Sequence, residues 1–373
     1  MSCSVKGTPE SLARRARVCL DGPVSSVPIV IGHRGACGYV PEHTLASYFL
    51  AIQYGADFVE PDLVMTRDAV LVARHENEIG GTTDVAEHPE FASRRTQRSV
   101  DGEDVEGWFT EDFSLAELKT LRARERIPWI RPGNQRFDRL LEIPTFEEIL
   151  ALVRAADEMR AARARQLGLP RPPRIGIYPE TKHPSHFAGR GLPLEGALVQ
   201  VLDRHGLRGR DAPVWLQSFE PGSLIALGRL TQLPRVQLLE DEGAPFDFTA
   251  QKVPRTFADM RTGAGLAEIA RYAQAIGPSK AQIIPRQADG SLGMPTQLVA
   301  EAHAHGLAVH PWTFRAENEF LPAEFRTGSA PADRGDLVGE IVTFLRCGID
   351  GFFTDQADLG VAARAAFMQE LRG

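Results

Sequence analysis

The chain has 373 residues, 43% of them hydrophobic and 24% charged, with 34 Gly and 26 Pro. That composition excludes a wholly disordered chain and leaves enough apolar side chains for a large core. The 42 basic and 49 acidic side chains leave a net charge of −7, which argues against a nucleic-acid partner; an anionic small molecule would have to be met by local positive charge.

Residues 1–26 read as an N-terminal arm. The stretch MSCSVKGTPESLARRARVCLDG carries Arg14, Arg15 and Arg17 but no apolar run of about 7–15 residues, so no export signal is expected in the chain as written. On that reading the chain is cytoplasmic; if it is the mature or recoded form of an exported protein, it is periplasmic. No window approaches about 18 apolar residues, so no transmembrane segment is expected. Cys3, Cys19, Cys37 and Cys347 are widely spread, with no CxxC, and predict neither a disulfide scaffold nor a zinc site. Cys37 and Cys347 read as buried small residues.

The run VPIVI at 27–31 is short, apolar and bounded by Pro and Gly, and predicts a buried strand. Thr44–Tyr54 follows with Leu45, Tyr48, Phe49 and Ile52 at helical spacing. Ala56–Val64 predicts a second strand and Ala69–Ala73 a third, short one. From about Asn77 to Glu142 the sequence is polar, charged and without a clean period, and reads as a small insertion domain after the second barrel strand. Trp108, Phe109, Phe113 and Trp129 imply that this segment packs, and Ser114 with Glu117 predicts a capped short helix over Ser114–Leu121. A long helix is expected over Phe146–Arg165, ended by the proline-rich Gln166–Arg174.

Beyond Arg174, strands and helices alternate. Strands are expected at Ile175–Tyr178, Val214–Gln217, Val236–Leu239, Gln282–Pro285, Leu307–His310 and Gly351–Thr354, and helices at Leu194–His205, Pro221–Leu230, Leu266–Ala275, Pro295–His305, Leu337–Cys347 and Leu359–Leu371. Eight βα units predict an α/β TIM (β/α)8 barrel over 27–360, interrupted by 77–142, with 361–373 as the end of the last helix. No GxGxxG follows the first strand, which disfavours a dinucleotide fold.

Three clusters fall where barrel strands end, where barrel active sites form. The first is Gly32-His33-Arg34-Gly35, with Glu42 shortly after: a proton carrier beside a fixed cation. The second is Glu60-Pro61-Asp62. Period-2 geometry points both carboxylates to one side, and oxygen-rich ligation suits Mg²⁺ or Ca²⁺. His75 lies thirteen residues beyond Asp62. The third is Glu180-Thr181-Lys182-His183, offering a third carboxylate and a Lys on the same face. His183 and His186 are expected in supporting or loop positions. An anion held between a metal and a Lys is the usual arrangement for phosphate. Two histidines, two cations and three carboxylates are what phosphodiester cleavage requires, because charge must be neutralised and protons moved at both oxygens.

HRGACGYVPEHTLASY, GADFVEPDLVMTRDAVLVARHE, IYPETKH, QSF (217–219), VHPWTFR (309–315) and GIDGFFTD (348–355) together resemble the signature blocks of glycerophosphodiester phosphodiesterases over about residues 28–360. The PEHT form, the long stretch after His75 and VHPWT look most like the exported bacterial branch. The resemblance implies a TIM barrel with a small inserted domain, one divalent cation, and a small-molecule glycerophosphodiester substrate hydrolysed to glycerol 3-phosphate and an alcohol. It implies His33 and His75 as catalytic residues, Arg34 and Lys182 on the phosphate, and Glu60, Asp62 and Glu180 on the metal. Glu42, Phe219 and Trp312 are implied as supporting residues, the two aromatics bordering the glycerol pocket. The implied mechanism is attack of the glycerol 2-hydroxyl on phosphorus, then hydrolysis of a cyclic phosphate. The middle residue Pro61 differs from many relatives but should point away from the site.

The same two-histidine, one-metal plan is shared by lysophospholipase D and sphingomyelinase D types of phospholipase, which need a wide apolar mouth. A glycosidase using Glu60 and Glu180 would leave His33, His75 and Lys182 unexplained. A non-catalytic binding barrel would be expected to lack one of these groups. The sequence carries no signal for oligomeric state.

Overall fold

The computed structural model describes residues 27–372. The N-terminal arm, with Cys3 and Cys19, lies outside them. The first strand, β1 (Ile29–His33), is parallel to β2 (Phe58–Glu60) on one side and to the final strand β13 (Gly351–Thr354) on the other. The expected second strand is interrupted at Pro61, which has no N–H to give a ladder. The chain continues as β3 (Asp62–Met65), and β4 (Leu71–Ala73) turns back antiparallel to it rather than joining the barrel.

The third barrel position is divided in the same way at Pro179, into β7 (Gly176–Ile177) and β8 (Glu180–Thr181), paired with β2 and β3. Then come β9 (Leu216–Ser218), β10 (Arg235–Leu239), β11 (Ala275–Pro278) and β12 (Ala308–Val309), each parallel to the one before. Backbone bonds from Asp350 N to Val309 O (3.0 Å) and from Phe353 N to Pro311 O (3.0 Å) close the ring. The architecture is the parallel α/β barrel that the alternation predicts.

One barrel strand differs from the sequence reading. The strand expected at Gln282–Pro285 is a 3₁₀ turn (Lys280–Gln282) and loop, and the ladder is made by Ala275–Pro278. Both stretches are apolar, and Ile283 and Ile284 are buried from the loop, so hydrophobicity alone cannot separate them. The preceding helix is correspondingly Gly263–Ile269, capped by Thr262, rather than Leu266–Ala275.

Ile31, Tyr178, Val236, Ala275 and Phe353 fill the barrel interior. Two larger clusters pack the sheet against the outer helices. In the helix Leu45–Gln53 the buried face is Ser47, Tyr48, Ala51 and Ile52, while Leu45 and Phe49 face solvent, contrary to the apolar spacing. The helix Phe146–Gln166 begins at a Thr145/Glu148 capping box. Cys37 is buried and Cys347 only half-buried.

Residues 77–142 contain short 3₁₀ turns, one helical turn (Leu115–Leu118) with the Ser114/Glu117 capping box, and an antiparallel hairpin of β5 (Thr96–Val100) and β6 (Glu103–Gly107). Ile79, Val85, Phe91, Phe113, Leu118 and Leu121 belong to the same apolar cluster as Val59 and Leu63 of the barrel. Trp129, in contrast, is exposed. No described helix is long and apolar enough to cross a membrane.

Candidate active site

The carboxyl ends of the strands open into a cavity of about 620 Å³ lined by His33, Arg34, Glu60, Asp62, His75, Glu180, Lys182, Phe219 and Trp312. Nine of the ten residues singled out from the sequence therefore share one wall-to-wall space; the tenth, Glu42, stands behind Arg34. The loop after β1 is held by a close approach. Gly35 has φ +90°, and a Cβ there would sit 2.5 Å from the backbone of Ser47, so only glycine fits. The loop is pinned further by Ser47 Oγ donating to Arg34 O (3.0 Å). Arg34 (φ 55°), His43 (φ 53°) and His183 (φ 48°) are non-glycine residues in the left-handed region, a strain that concentrates at functional sites.

Glu60 ends β2, Asp62 opens β3 and Glu180 opens β8, and the register pairs Asp62 with Glu180. One oxygen of each carboxylate lies within 4.8 Å of the others, and all three residues are buried. Burial and the adjacent Asp62 push the Glu60 carboxyl well above its usual range, and burial pushes Glu180 up to about 8. Asp62 stays ionised despite its burial because Lys182 and His43 face it. Three buried carboxylates that cannot all ionise together fit a divalent cation, and all-oxygen donors suit a hard one. A second group, His33, Cys37 and Asp355, is close enough to hold an ion. There Asp355 is already paired with Arg131 and Arg315, and burial holds the Cys37 thiol protonated.

Two cations border the carboxylates. Arg34 donates its backbone N–H to Glu60 Oε2 (2.9 Å) and its Nη1 to Glu42 Oε2 (2.9 Å), with Nε 3.4 Å from Asp62. Lys182 Nζ lies 3.0 Å from Glu180 Oε1, 3.4 Å from His75 Nε2 and 5.5 Å from the centre of the Phe219 ring. Despite its burial, Glu180 and Asp62 raise the basicity of the Lys182 ammonium, so it is charged. Phe219 and Trp312 meet edge to face at 5.9 Å, and the Trp312 indole N–H donates to Gly277 O (2.8 Å).

The two histidines are built alike. His33 Nδ1 bonds Asp355 Oδ1 (2.6 Å), and His75 Nδ1 bonds Glu76 Oε1. A carboxylate on Nδ1 fixes the proton there and leaves Nε2 as a free base. Burial, then the charge of Arg34, lowers the His33 imidazole to about 4 and the His75 imidazole to about 3. Both rings are thus neutral near pH 7.

Several residues of this site were not singled out from the sequence. Asp355 ends the quoted GIDGFFTD block, Gln217 opens QSF, and Glu76 directly follows His75, so position relative to known motifs could have found them. Gln217 Nε2 donates to Glu60 Oε1 (3.0 Å). His43 lies in PEHT, and its Nε2 bonds Asp62 Oδ2 (2.9 Å). His183 and His186 pair with Asp101 (2.6 Å) and Glu111 (2.8 Å). Arg126 and Arg131 come from the aperiodic segment and carry no local signal at all.

Residues 33–359 match the model of the glycerophosphoryl diester phosphodiesterase family. The chain is 35% identical to a glycerophosphodiester phosphodiesterase of Arabidopsis thaliana, over 89% of this chain and 84% of that protein. It is 29% identical to a glycerophosphodiester phosphodiesterase of Haemophilus influenzae, over 91% and 90%. Among solved structures, one of a glycerophosphoryl diester phosphodiesterase from Silicibacter pomeroyi superposes with TM-score 0.60 at 21% identity, covering 95% of this chain and 98% of the other. A phosphodiesterase from Oleispira antarctica, in complex with the product sn-glycerol-3-phosphate, gives 0.58 at 20% identity, covering 90% and 96%.

Proposed function

The chain belongs to the glycerophosphoryl diester phosphodiesterase family and is a glycerophosphodiester phosphodiesterase, and from that premise we propose how its cavity cleaves the diester. The observation that carries the reading is the pairing of two neutral histidines, each with Nδ1 on a carboxylate, around one cluster of three carboxylates and two cations.

Arg34 and Lys182 bind the phosphoryl oxygens and neutralise charge that builds on them. Phe219 and Trp312 border the glycerol end. One histidine takes the proton of the glycerol 2-hydroxyl as its oxygen attacks phosphorus. The other protonates the oxygen of the leaving alcohol as the P–O bond breaks. The product of that step is a cyclic glycerol phosphate. Water then opens the ring, with the two histidines exchanging roles, to give glycerol 3-phosphate. Glu42 holds Arg34 in place. Glu60, Asp62 and Glu180 would hold one divalent cation, Ca²⁺ or Mg²⁺, which supplies Lewis-acid polarisation of the phosphoryl group when bound.

The test is release of glycerol 3-phosphate from glycerophosphocholine by the purified protein. EDTA is expected to abolish it, and Ca²⁺ or Mg²⁺ to restore it. Activity that survives complete chelation would remove the metal from the scheme. A parallel assay with lysophosphatidylcholine separates this activity from the phospholipase reading.

A further inference from the structure

Residues 122–139 carry two arginines that reach the carboxylates behind the two histidines. Arg126 lays its guanidinium between two carboxylates. It donates to Glu42 from Nε (2.8 Å) and Nη2 (2.6 Å), and to Glu76 from Nη1 (2.8 Å) and Nη2 (2.7 Å). Glu76 is the carboxylate on His75 Nδ1. Five residues on, Arg131 donates from Nη2 to Asp355 Oδ2 (2.5 Å) and from Nε to Glu317 Oε1 (2.7 Å). Asp355 is the carboxylate on His33 Nδ1. A tight turn joins the two arginines: Ile130 and Arg131 both donate their backbone N–H to Ile127 O (2.9 Å).

The geometry points to the Arg126–Arg131 turn as the positioning device for both histidines of the reaction. Each arginine fixes the carboxylate that fixes an imidazole, so one short turn sets the orientation of the two rings relative to each other. This inference rests on the reading of His33 and His75 as the acid–base pair. Neither arginine touches the reacting atoms: Arg131 acts through Asp355, and Arg126 through Glu76 and, by way of Glu42, on Arg34. A planar guanidinium is suited to this: Arg126 grips Glu76 with two bonds, and Arg131 spans Asp355 and Glu317 at once, in a fixed fork that a lysine lacks. The groups that orient metal-bound imidazoles from behind typically contribute about 10–100-fold, and an effect of that order is expected here.

The experiment compares Arg126→Gln and Arg131→Lys on two diesters. One is glycerophosphocholine, whose alkoxide needs a proton to leave. The other is the 4-nitrophenyl ester of glycerol 3-phosphate, whose phenolate leaves unprotonated. On glycerophosphocholine, kcat is expected to fall on the order of 10–100-fold in each variant. On the nitrophenyl ester, one variant is expected to recover most of that loss and the other none, because only one histidine serves the leaving group. Wild-type kcat in both variants, or equal losses on both esters in both variants, would overturn the inference. If Arg131→Lys does not fold, Asp355→Asn reads the same arm. Full activity of His33→Ala or His75→Ala would instead break the acid–base reading itself, so the two failures are told apart.

Discussion

The two histidine arms have the same chemistry and opposite surroundings. On the His33 side, the ring is nearly buried, Asp355 is buried, and two arginines, Arg131 and Arg315, grip it. On the His75 side, the ring is 30% exposed, Glu76 is 35% exposed, and Arg126 alone holds it. A carboxylate behind an imidazole sets the tautomer in both cases. On the His33 side Arg131, which grips it, reaches on to buried Glu317 and the backbone of Cys37, whereas on the His75 side Arg126 reaches on to Glu42 beside Arg34. The comparison separates what the chemistry needs from what the fold needs.

The largest expected effect tests the shared chemistry. His33→Ala and His75→Ala should each lower kcat by about 10²–10⁴-fold, the range for loss of a general acid or base. Both variants should keep the wild-type far-ultraviolet circular dichroism. If one retains full activity, the symmetry between the arms is broken and that histidine leaves the mechanism.

The arms also differ in how much of them could be read from the chain. His33 and His75 stand in short motifs at strand ends, where strand periodicity and local residue chemistry suffice. The three carboxylates were legible for the same reason, since Glu60 and Asp62 flank Pro61 where two strands meet and Glu180 opens another strand. Asp355 is 322 residues from His33, and Arg131 is 224 residues from Asp355. Such pairings are made by barrel closure and carry no local pattern. The barrel was legible because its βα rhythm repeats. The misplaced sixth strand shows the limit: Ala275–Pro278 and Gln282–Pro285 are both short apolar runs, and only pairing with Val236–Leu239 decides between them.

Stability should separate the arms where activity does not. Arg131→Ala leaves Asp355 and Glu317 as buried carboxylates short of a partner, since Arg131 is only 7% exposed. Removing one member of a buried charge network costs about 3–5 kcal/mol. Arg126→Ala removes a guanidinium that is 29% exposed; water can replace its bonds to Glu76, and buried Glu42, its other partner, keeps its bond from Arg34. Its cost should stay below that of Arg131→Ala, at about 1–3 kcal/mol, and the part that comes from Glu76 should shrink with salt. Urea unfolding of both variants at two salt concentrations measures the difference. Equal losses would mean that Arg126 is as structural as Arg131.

Acid should act more strongly through the His33 arm. In the chelated protein the His33 imidazole is lowered by burial from 6.5 to about 4. Between those pH values the unfolded chain binds a proton that the native chain does not, so stability falls as pH falls through this window. The gap corresponds to on the order of 3 kcal/mol for a group this well enclosed. His75 is pushed lower still, to about 3, but its ring is 30% open to solvent, and water reaching it weakens the penalty for protonation. His33→Gln should therefore flatten the fall in melting temperature between pH 6.5 and 4 more than His75→Gln does. The reverse order would place the more enclosed imidazole on the His75 side. The two arms would then have to exchange structural roles, with Arg126 rather than Arg131 joining the site to the core.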